Sequence, residues 1–180
     1  MLGPCPADLQ LAVPFHLRWA TPADIPALMA MKQQMAIADG APGLLDATAD
    51  HWEQACFGPA PKFIAIVAEQ AGAVVGMTIF NEQCFAGWAA PPLYVQDLFV
   101  MPAHRSRGIG RALLTEVASQ ARARKSRLVY LNVHENNQAC RLYAGLGFRP
   151  AQKCQVYALV DPPLTALAGS GTALSPPAIR

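Results

Sequence analysis

Charge is scarce in this chain. Across 180 residues, 14 Lys and Arg stand against 12 Asp and Glu, a net charge of +2. So small an excess gives no reason to expect a polyanionic partner, because binding to nucleic acid draws on many cations at once. Long hydrophobic runs are missing too. The longest, Phe63 to Ala68, has six residues, against about 20 for a membrane-spanning helix, so no membrane association is expected. No Lys or Arg precedes Arg18 and no apolar h-region follows the first methionine, so no secretory leader is expected and the reading is of a cytoplasmic protein. Five cysteines, Cys5, Cys56, Cys84, Cys140 and Cys154, are scattered, odd in number and never spaced Cys-x-x-Cys. That spacing argues against a disulfide framework or a metal site, and idle free thiols are expected. No internal repeat is visible.

What is abundant is apolar. Hydrophobic residues make up 53% of the chain, which excludes global disorder, and the length suits one well-buried domain rather than two. The expected organisation is a loose leader over residues 1–13, a single domain over 14–161 and a Pro/Gly/Ala-rich, poorly packed tail over 162–180. Within the domain, Phe15 to Ala20 alternates as a first strand. Thr21, Pro22 and Asp24 suit a helix start, with Leu28, Met31 and Met35 at helical spacing and Gly40 as its end. Thr48 to Phe57 reads as a second short helix. Residues 62–69 and 73–83 read as strands of a hairpin turning at Gln70-Ala71-Gly72. Leu93 to Val100 is another strand. A helix then runs from Gly108 to about Lys125, with Ile109, Leu113, Val117 and Ala121 on one face. Arg127 to Val133 is an apolar strand, 136–148 a helix with Ala139, Leu142, Tyr143 and Leu146 on one face and Gly147 at its C-terminus, and Lys153 to Val160 a last strand. The strand–helix–strand unit from Val95 to Val133 requires parallel neighbours, while the hairpins make the sheet mixed.

The most informative stretch is VQDLFVMPAHRSRGIGRALL, Val95 to Leu114. A strand, a glycine-rich turn and a helix N-terminus in succession form an anion site. Backbone N–H groups at the helix start lack partners, Gly108 and Gly110 allow close approach, and Arg105 and Arg107 add charge. The P-loop pattern is absent, and the dinucleotide fingerprint lacks its third glycine at Leu113.

Arg105-x-x-Gly108-x-Gly110, placed directly after a strand ending Val100-Met101-Pro102, resembles the acyl-CoA signature of the GNAT superfamily of N-acetyltransferases. Asn136, Asn137, Ala139 and the following LYAGLGF resemble the second segment of that family. With the order of elements from Phe15 to Val160, the resemblance covers about four fifths of the chain, and YVQDLFVMPAHRSRGIG is most similar to the diamine and polyamine acetyltransferase branch. It implies an α/β fold with a central mixed, mostly antiparallel sheet, splayed between its central parallel strands and flanked by about four helices. It implies acetyl-CoA as cosubstrate and no metal. Leu98, Phe99 and Val100 would pair with pantetheine like an added strand, in the gap where their strand splays from Arg127–Val133. Arg105, Ser106, Arg107, Gly108, Ile109, Gly110 and Arg111 would take the pyrophosphate, with Asn136, Ala139 and Tyr143 along the pantetheine.

The resemblance also places Tyr143 as general acid. A phenol with pKa near 10 is matched to a thiolate leaving group near 8.5. For the base, the chain departs from the polyamine branch, which has Glu-Asp where this chain has Gln96-Asp97. An amide cannot accept a proton near neutral pH. Asp97, Glu82, His134 and a water relayed through Gln96 are the alternatives, and strand alternation puts Asp97 on the face opposite Gln96 unless a β-bulge intervenes. Asp39, Asp46, Asp50 and Glu53 cluster where the family has its acceptor wall, yet a helix–loop segment with four acids is more often just solvated surface. The expected acceptor is a small primary amine, not specifically a polyamine. Protein or peptide acetylation and an acyl-CoA-binding sensor are the competing readings. The basic run Arg122 to Arg127 ends a helix and complements its dipole, so it does not call for nucleic acid. A homodimer through the final strands is expected from the family.

Overall fold

Runs rich in Val, Ile, Phe and Tyr form the sheet, as their fit to a half-buried pleated surface dictates. The computed structural model describes residues 14–40, 45–151 and 162–168. Its five strands are β1 (His16–Trp19), β2 (Ile64–Gln70), β3 (Ala73–Glu82), β4 (Leu93–Val100) and β5 (Val129–Leu131), and they lie in that spatial order. The first four pair antiparallel and β4 pairs parallel with β5. The β2–β3 hairpin closes through Ala71 and Gly72, at φ 51° and 77°. Two positive φ angles match the twist of a two-residue hairpin, which glycine meets freely and alanine only with strain.

Thr21 and Asp24 turn the first strand into the first helix. The Thr21 backbone N–H and hydroxyl both donate to Asp24 Oδ2, at 2.7 and 2.9 Å. One 3-10 turn over Pro22–Asp24 precedes α1 (Ile25–Ala38). Arg18 of β1 closes over this corner, donating to both Asp24 oxygens at 2.7 and 2.8 Å and to Glu69 of β2 at 2.7 Å. Asp24 is buried. The guanidinium holds its carboxyl down at about 2, against burial that pushes the other way. After α1, a short helix α2 (Ala49–Trp52) widens into a π-helical turn over Glu53–Phe57.

Alternation along the strands divides the core. On one face Ile66, Ala68, Phe80, Leu93 and Val95 pack against α3 (Ile109–Ala123), through its Ile109, Leu113, Leu114, Val117 and Ala121. On the other, Ala65, Val67, Met77, Ile79 and Phe99 meet Ile25, Leu28 and Met31 of α1 and Trp52 of α2. Gly76 lets α3 sit down on β3. A Cβ there would meet Ile109 Cγ2 and the Phe99 carbonyl oxygen, each at 3.1 Å.

One residue of β4 changes what its strand presents. Ile79 is opposite Asp97 and Phe80 is opposite Val95, so Gln96 is an extra, bulged residue. Val95 faces α3, and regular alternation would send Asp97 the same way. The bulge reverses this: Leu98 and Val100 pack on the α3 side, while Phe99 packs with α1. Parallel pairing with β5 also ends at the bulge, its last pair being Val95 with Leu131. Beyond that point β4 has no β5 partner, which is the splay expected between the two parallel strands.

β5 is shorter than the expected Arg127–Val133 because its partner strand bends away at Gln96. The next helix, α4 (Cys140–Gly145), also starts late. Asn137 accepts the Ala139 N–H on its side-chain oxygen and donates its own N–H to the His134 carbonyl, the local bonding that makes asparagine a turn residue. Gly147, at φ 90°, takes the left-handed position after α4 and donates to the Ala144 carbonyl. Contacts divide the chain into two units, Met1–Gly147 and Phe148–Arg180. In the second, residues 163–168 form a short helix, α5 (Pro163–Ala168), inside the tail whose composition suggested no regular element. Proline suits a first helical turn, and the Leu and Ala that follow are good helix formers. The expected leader over 1–13 and the last strand over Lys153–Val160 lie outside the described residues.

Candidate active site

The bulge brings Gln96 and Asp97 to one cavity. It lies between α1, α2 and β4, has a volume of about 310 Å³, and carries an apolar wall of Met29, Trp52, Phe63 and Ile79. Asp97 is only 7% exposed, and a buried carboxylate requires partners. Lys32 of α1 supplies one, with Nζ 2.5 Å from Oδ1. The Thr78 hydroxyl donates to the Asp97 backbone carbonyl at 3.1 Å and so pins the strand beneath it. Gln96 is exposed, and its Nε2 donates to Asn81 Oδ1 at 3.0 Å.

The other sequence-derived bases stand elsewhere. Glu82 ends β3 in an ion pair with Arg124 at 2.9 Å. His134 lies past the end of β5 and is exposed. Asp39, Asp46, Asp50 and Glu53 are all exposed, and none lines the cavity, as solvated surface acids would be.

Four aromatic rings extend the cavity's side of the sheet past Gln96. Tyr94 lies 5.0 Å from Tyr130, Phe85 6.1 Å from Tyr130 and 5.7 Å from Trp88, and Arg127 stacks over Trp88 at 5.6 Å. Asn132 donates to the Tyr94 hydroxyl at 3.3 Å. Burial raises the pKa of Tyr130, and Tyr94 raises it further.

The glycine-rich turn opens α3 without a side-chain cap. Its first helical bond runs from the Ala112 N–H to the Gly108 carbonyl at 2.9 Å, so the N–H groups of Ile109, Gly110 and Arg111 lack helical partners. Gly108 sits at φ 83°, a conformation that costs other residues about 1–2 kcal/mol. Gly110 is small for a different reason: a Cβ there would approach Leu142 Cδ2 to 3.1 Å. That contact seats α4 against the start of α3. Ser106 is also left-handed, at φ 60°. Arg105 is committed to the scaffold, donating from Nε to the Val100 carbonyl at 2.9 Å and lying over the Phe99 ring at 5.6 Å. Arg107 instead lines a second cavity of about 320 Å³ with Gln70, Val75 and His104. These donors suit an anion as the sequence indicates, and the open β4 edge at Leu98–Val100 suits an extended amide-bearing chain.

Tyr143, on α4, packs against the α3-side core with Leu142 and Leu146. Burial raises its phenol pKa above the ordinary value, and Cys140 adds to the rise. Asn136 is exposed in the turn before α4, and Ala139 is half-buried at the helix start. The described cysteines, Cys56, Cys84 and Cys140, are free thiols, and burial pushes the Cys56 thiol up to about 11. Among the described residues no group of His, Cys, Asp and Glu could hold a metal ion, and no helix is long and apolar enough to cross a membrane.

Sequence reasoning missed Lys32. A signal was present: it is the only charged residue in Ile25–Ala38. Nothing local, however, connects it to Asp97, 65 positions away.

Comparison with known proteins agrees with this geometry. Residues 30–148 match the family described as Acetyltransferase (GNAT) family. Thialysine N-epsilon-acetyltransferase from Mus musculus is 32% identical over 100 residues, and the Bos taurus protein 30% over 100. Each match covers 51% of this chain and 58% of the relative, so the chain spans well under two thirds of these curated relatives. Among solved structures, an aminoglycoside acetyltransferase from an uncultured soil metagenomic sample aligns with a TM-score of 0.70 at 15% identity, over 82% of this chain and 97% of that one. AAC(6')-Iy, solved with the bisubstrate analog CoA-S-monomethyl-acetylneamine, aligns with a TM-score of 0.65 at 18% identity, over 81% and 98%. Identities this low speak for the fold alone. An uncapped, glycine-opened α3, a parallel pair that diverges at a β4 bulge and a family match over most of the described chain lead to one assignment: the chain belongs to the GNAT family of acetyltransferases.

Proposed function

We propose that the protein transfers an acetyl group from acetyl-CoA to a primary amine of a small molecule. The divergence of β4 from β5 at Gln96, beside the uncapped start of α3, carries this reading. It leaves an unpaired strand edge leading to a set of free N–H groups. In the proposal, the backbone of Leu98–Val100 aligns the pantetheine amides, with Asn136 and Ala139 on its other side. The N–H groups over residues 108–111 take the pyrophosphate, with Ser106 and Arg107 on the approach. Arg105 holds the turn against β4.

Bound there, acetyl-CoA supplies a thioester whose carbonyl carbon forms the new C–N bond as its C–S bond breaks. Asp97 is already paired with Lys32, so the proton of the incoming ammonium leaves to solvent through water held at Gln96 and Asn81, and the nitrogen lone pair is then free. Tyr143 gives its phenolic proton to the departing sulfur. A phenol kept protonated by burial is available for this through the neutral range. Gln96 and Asn81 hold the acceptor at the junction by hydrogen bonds. The name of the thialysine acetyltransferases supports a small amine acceptor.

The test is acetyl transfer read by mass spectrometry, with acetyl-CoA and a panel of monoamines, diamines, amino acids, aminoglycosides and short peptides. An acetylated small amine is the expected product. No product, under conditions where acetyl-CoA binds, would overturn the reading in favour of an acyl-CoA sensor. A product among the peptides alone would move the acceptor to proteins. Gly108→Ala is expected to weaken acetyl-CoA binding about tenfold by calorimetric titration and to cost about 1 kcal/mol of stability, since the turn must relax away from φ 83°.

A further inference from the structure

The acceptor cavity has a carboxylate, but that carboxylate already has a cation. Among the described residues Asp97 is the only acid lining the cavity, and Lys32 Nζ stands 2.5 Å from its Oδ1. The remaining titratable lining residue, His51, adds no negative charge. The exposed acids Asp39, Asp46, Asp50 and Glu53 point to no role in the cavity, since none lines it. The described lining is therefore close to net neutral, with one wall of Met29, Trp52, Phe63 and Ile79. A second ammonium would enter it with no free anion to meet and with the Lys32 ammonium close by. An ammonium taken from water into a site with no free counter-ion keeps its desolvation cost uncompensated, which is enough to lower its binding by more than a factor of ten.

Resting on the transfer reading above, we infer that Lys32 is the specificity-determining residue of the acceptor site. It neutralises Asp97 and selects monoamines with an uncharged, largely apolar body against diamines and polyamines. The charge logic is internal to the chain: a lone cation on an otherwise uncharged helix is spent on the one buried acid of the opposite strand. Lys32 keeps a side-chain exposure of 32%, so it borders the space the acceptor enters rather than being sealed behind it.

The experiment compares three acceptors built on the same six-carbon chain: hexylamine, hexamethylenediamine, and the aminohexanol with its hydroxyl at the far end. The alcohol separates polarity from charge. For the wild type, kcat/KM for the diamine is expected to be at least tenfold below that for the amino alcohol, with hexylamine equal to or above the alcohol. Lys32→Met frees Asp97 for a second ammonium, and the diamine penalty should shrink about tenfold or reverse. Lys32→Arg should restore the wild-type order. A diamine that matches or exceeds the amino alcohol in the wild type overturns the inference and leaves the transfer reading standing. So does a Lys32→Met variant whose diamine penalty is unchanged. No product from any of the three, with acetyl-CoA bound, overturns the inference, while the transfer reading stands or falls on the wider amine panel. If Lys32→Met does not fold, the wild-type order and the Lys32→Arg order decide.

Discussion

Tyr143→Phe should lower kcat by about 10²–10³ while leaving acetyl-CoA affinity nearly unchanged. The substitution removes one oxygen and keeps the ring that packs, with Leu142 and Leu146, against the α3-side core. In the proposed reaction that oxygen carries the proton for the departing thiolate, which without it must take one from water. The pH profile gives a second readout. Burial holds the Tyr143 phenol above its ordinary pKa, so the alkaline fall in wild-type activity belongs above pH 10, and a limb due to this group disappears in the Phe variant. Equal kcat in the two proteins would remove Tyr143 from the chemistry. A fall in acetyl-CoA affinity matching the fall in rate would make it a binding residue instead.

Arg18→Met is expected to cost about 3 kcal/mol of stability, or a fall in Tm of roughly 10 °C. Arg18 satisfies both oxygens of buried Asp24 and one of Glu69, and methionine would leave Asp24 ionised, buried and without a countercharge. The pH dependence has a definite sign. The folded-state pKa of Asp24 lies below its ordinary 3.8, at about 2, so its contribution of about 2 kcal/mol is present in full above pH 4. It is lost as pH falls through 2. The gap between wild type and variant should accordingly be widest at neutral pH and close between pH 4 and pH 2, measured by urea unfolding. A gap that is constant through that window would mean that Arg18 acts by packing alone.

Both variants rest on features that a local reading of the chain approaches to different degrees. Pro22 and Asp24 announce a helix start, and that helix forms, yet nothing near them announces Arg18 and Glu69 as partners. β4 runs from Leu93 to Val100, the span that its apolar alternation suggests. The face of Asp97 could be read either way, because period-two alternation and a bulge predict opposite answers. The register with β3 decides it, and only a folded sheet has a register. Lys32 illustrates the same limit: it stands out in its helix by charge, but its purpose depends on a strand 65 positions away.

The sequence by itself determined the elements with strong local signals: a mixed α/β order, a parallel β4–α3–β5 unit, a glycine-opened α3 suited to an anion, and the motif residues that ally the chain with the GNAT family. Periodicity, capping and left-handed glycine positions act over a few residues, so they survive in the sequence as pattern. Only the tertiary structure decided which face Asp97 occupies, that Gln96 ends the β4–β5 ladder, that Arg105 braces β4, and that Asp97 in the cavity wall is already paired. Each of these depends on contacts between residues far apart in the chain, where strand register and the cost of burying an unpaired charge set the outcome.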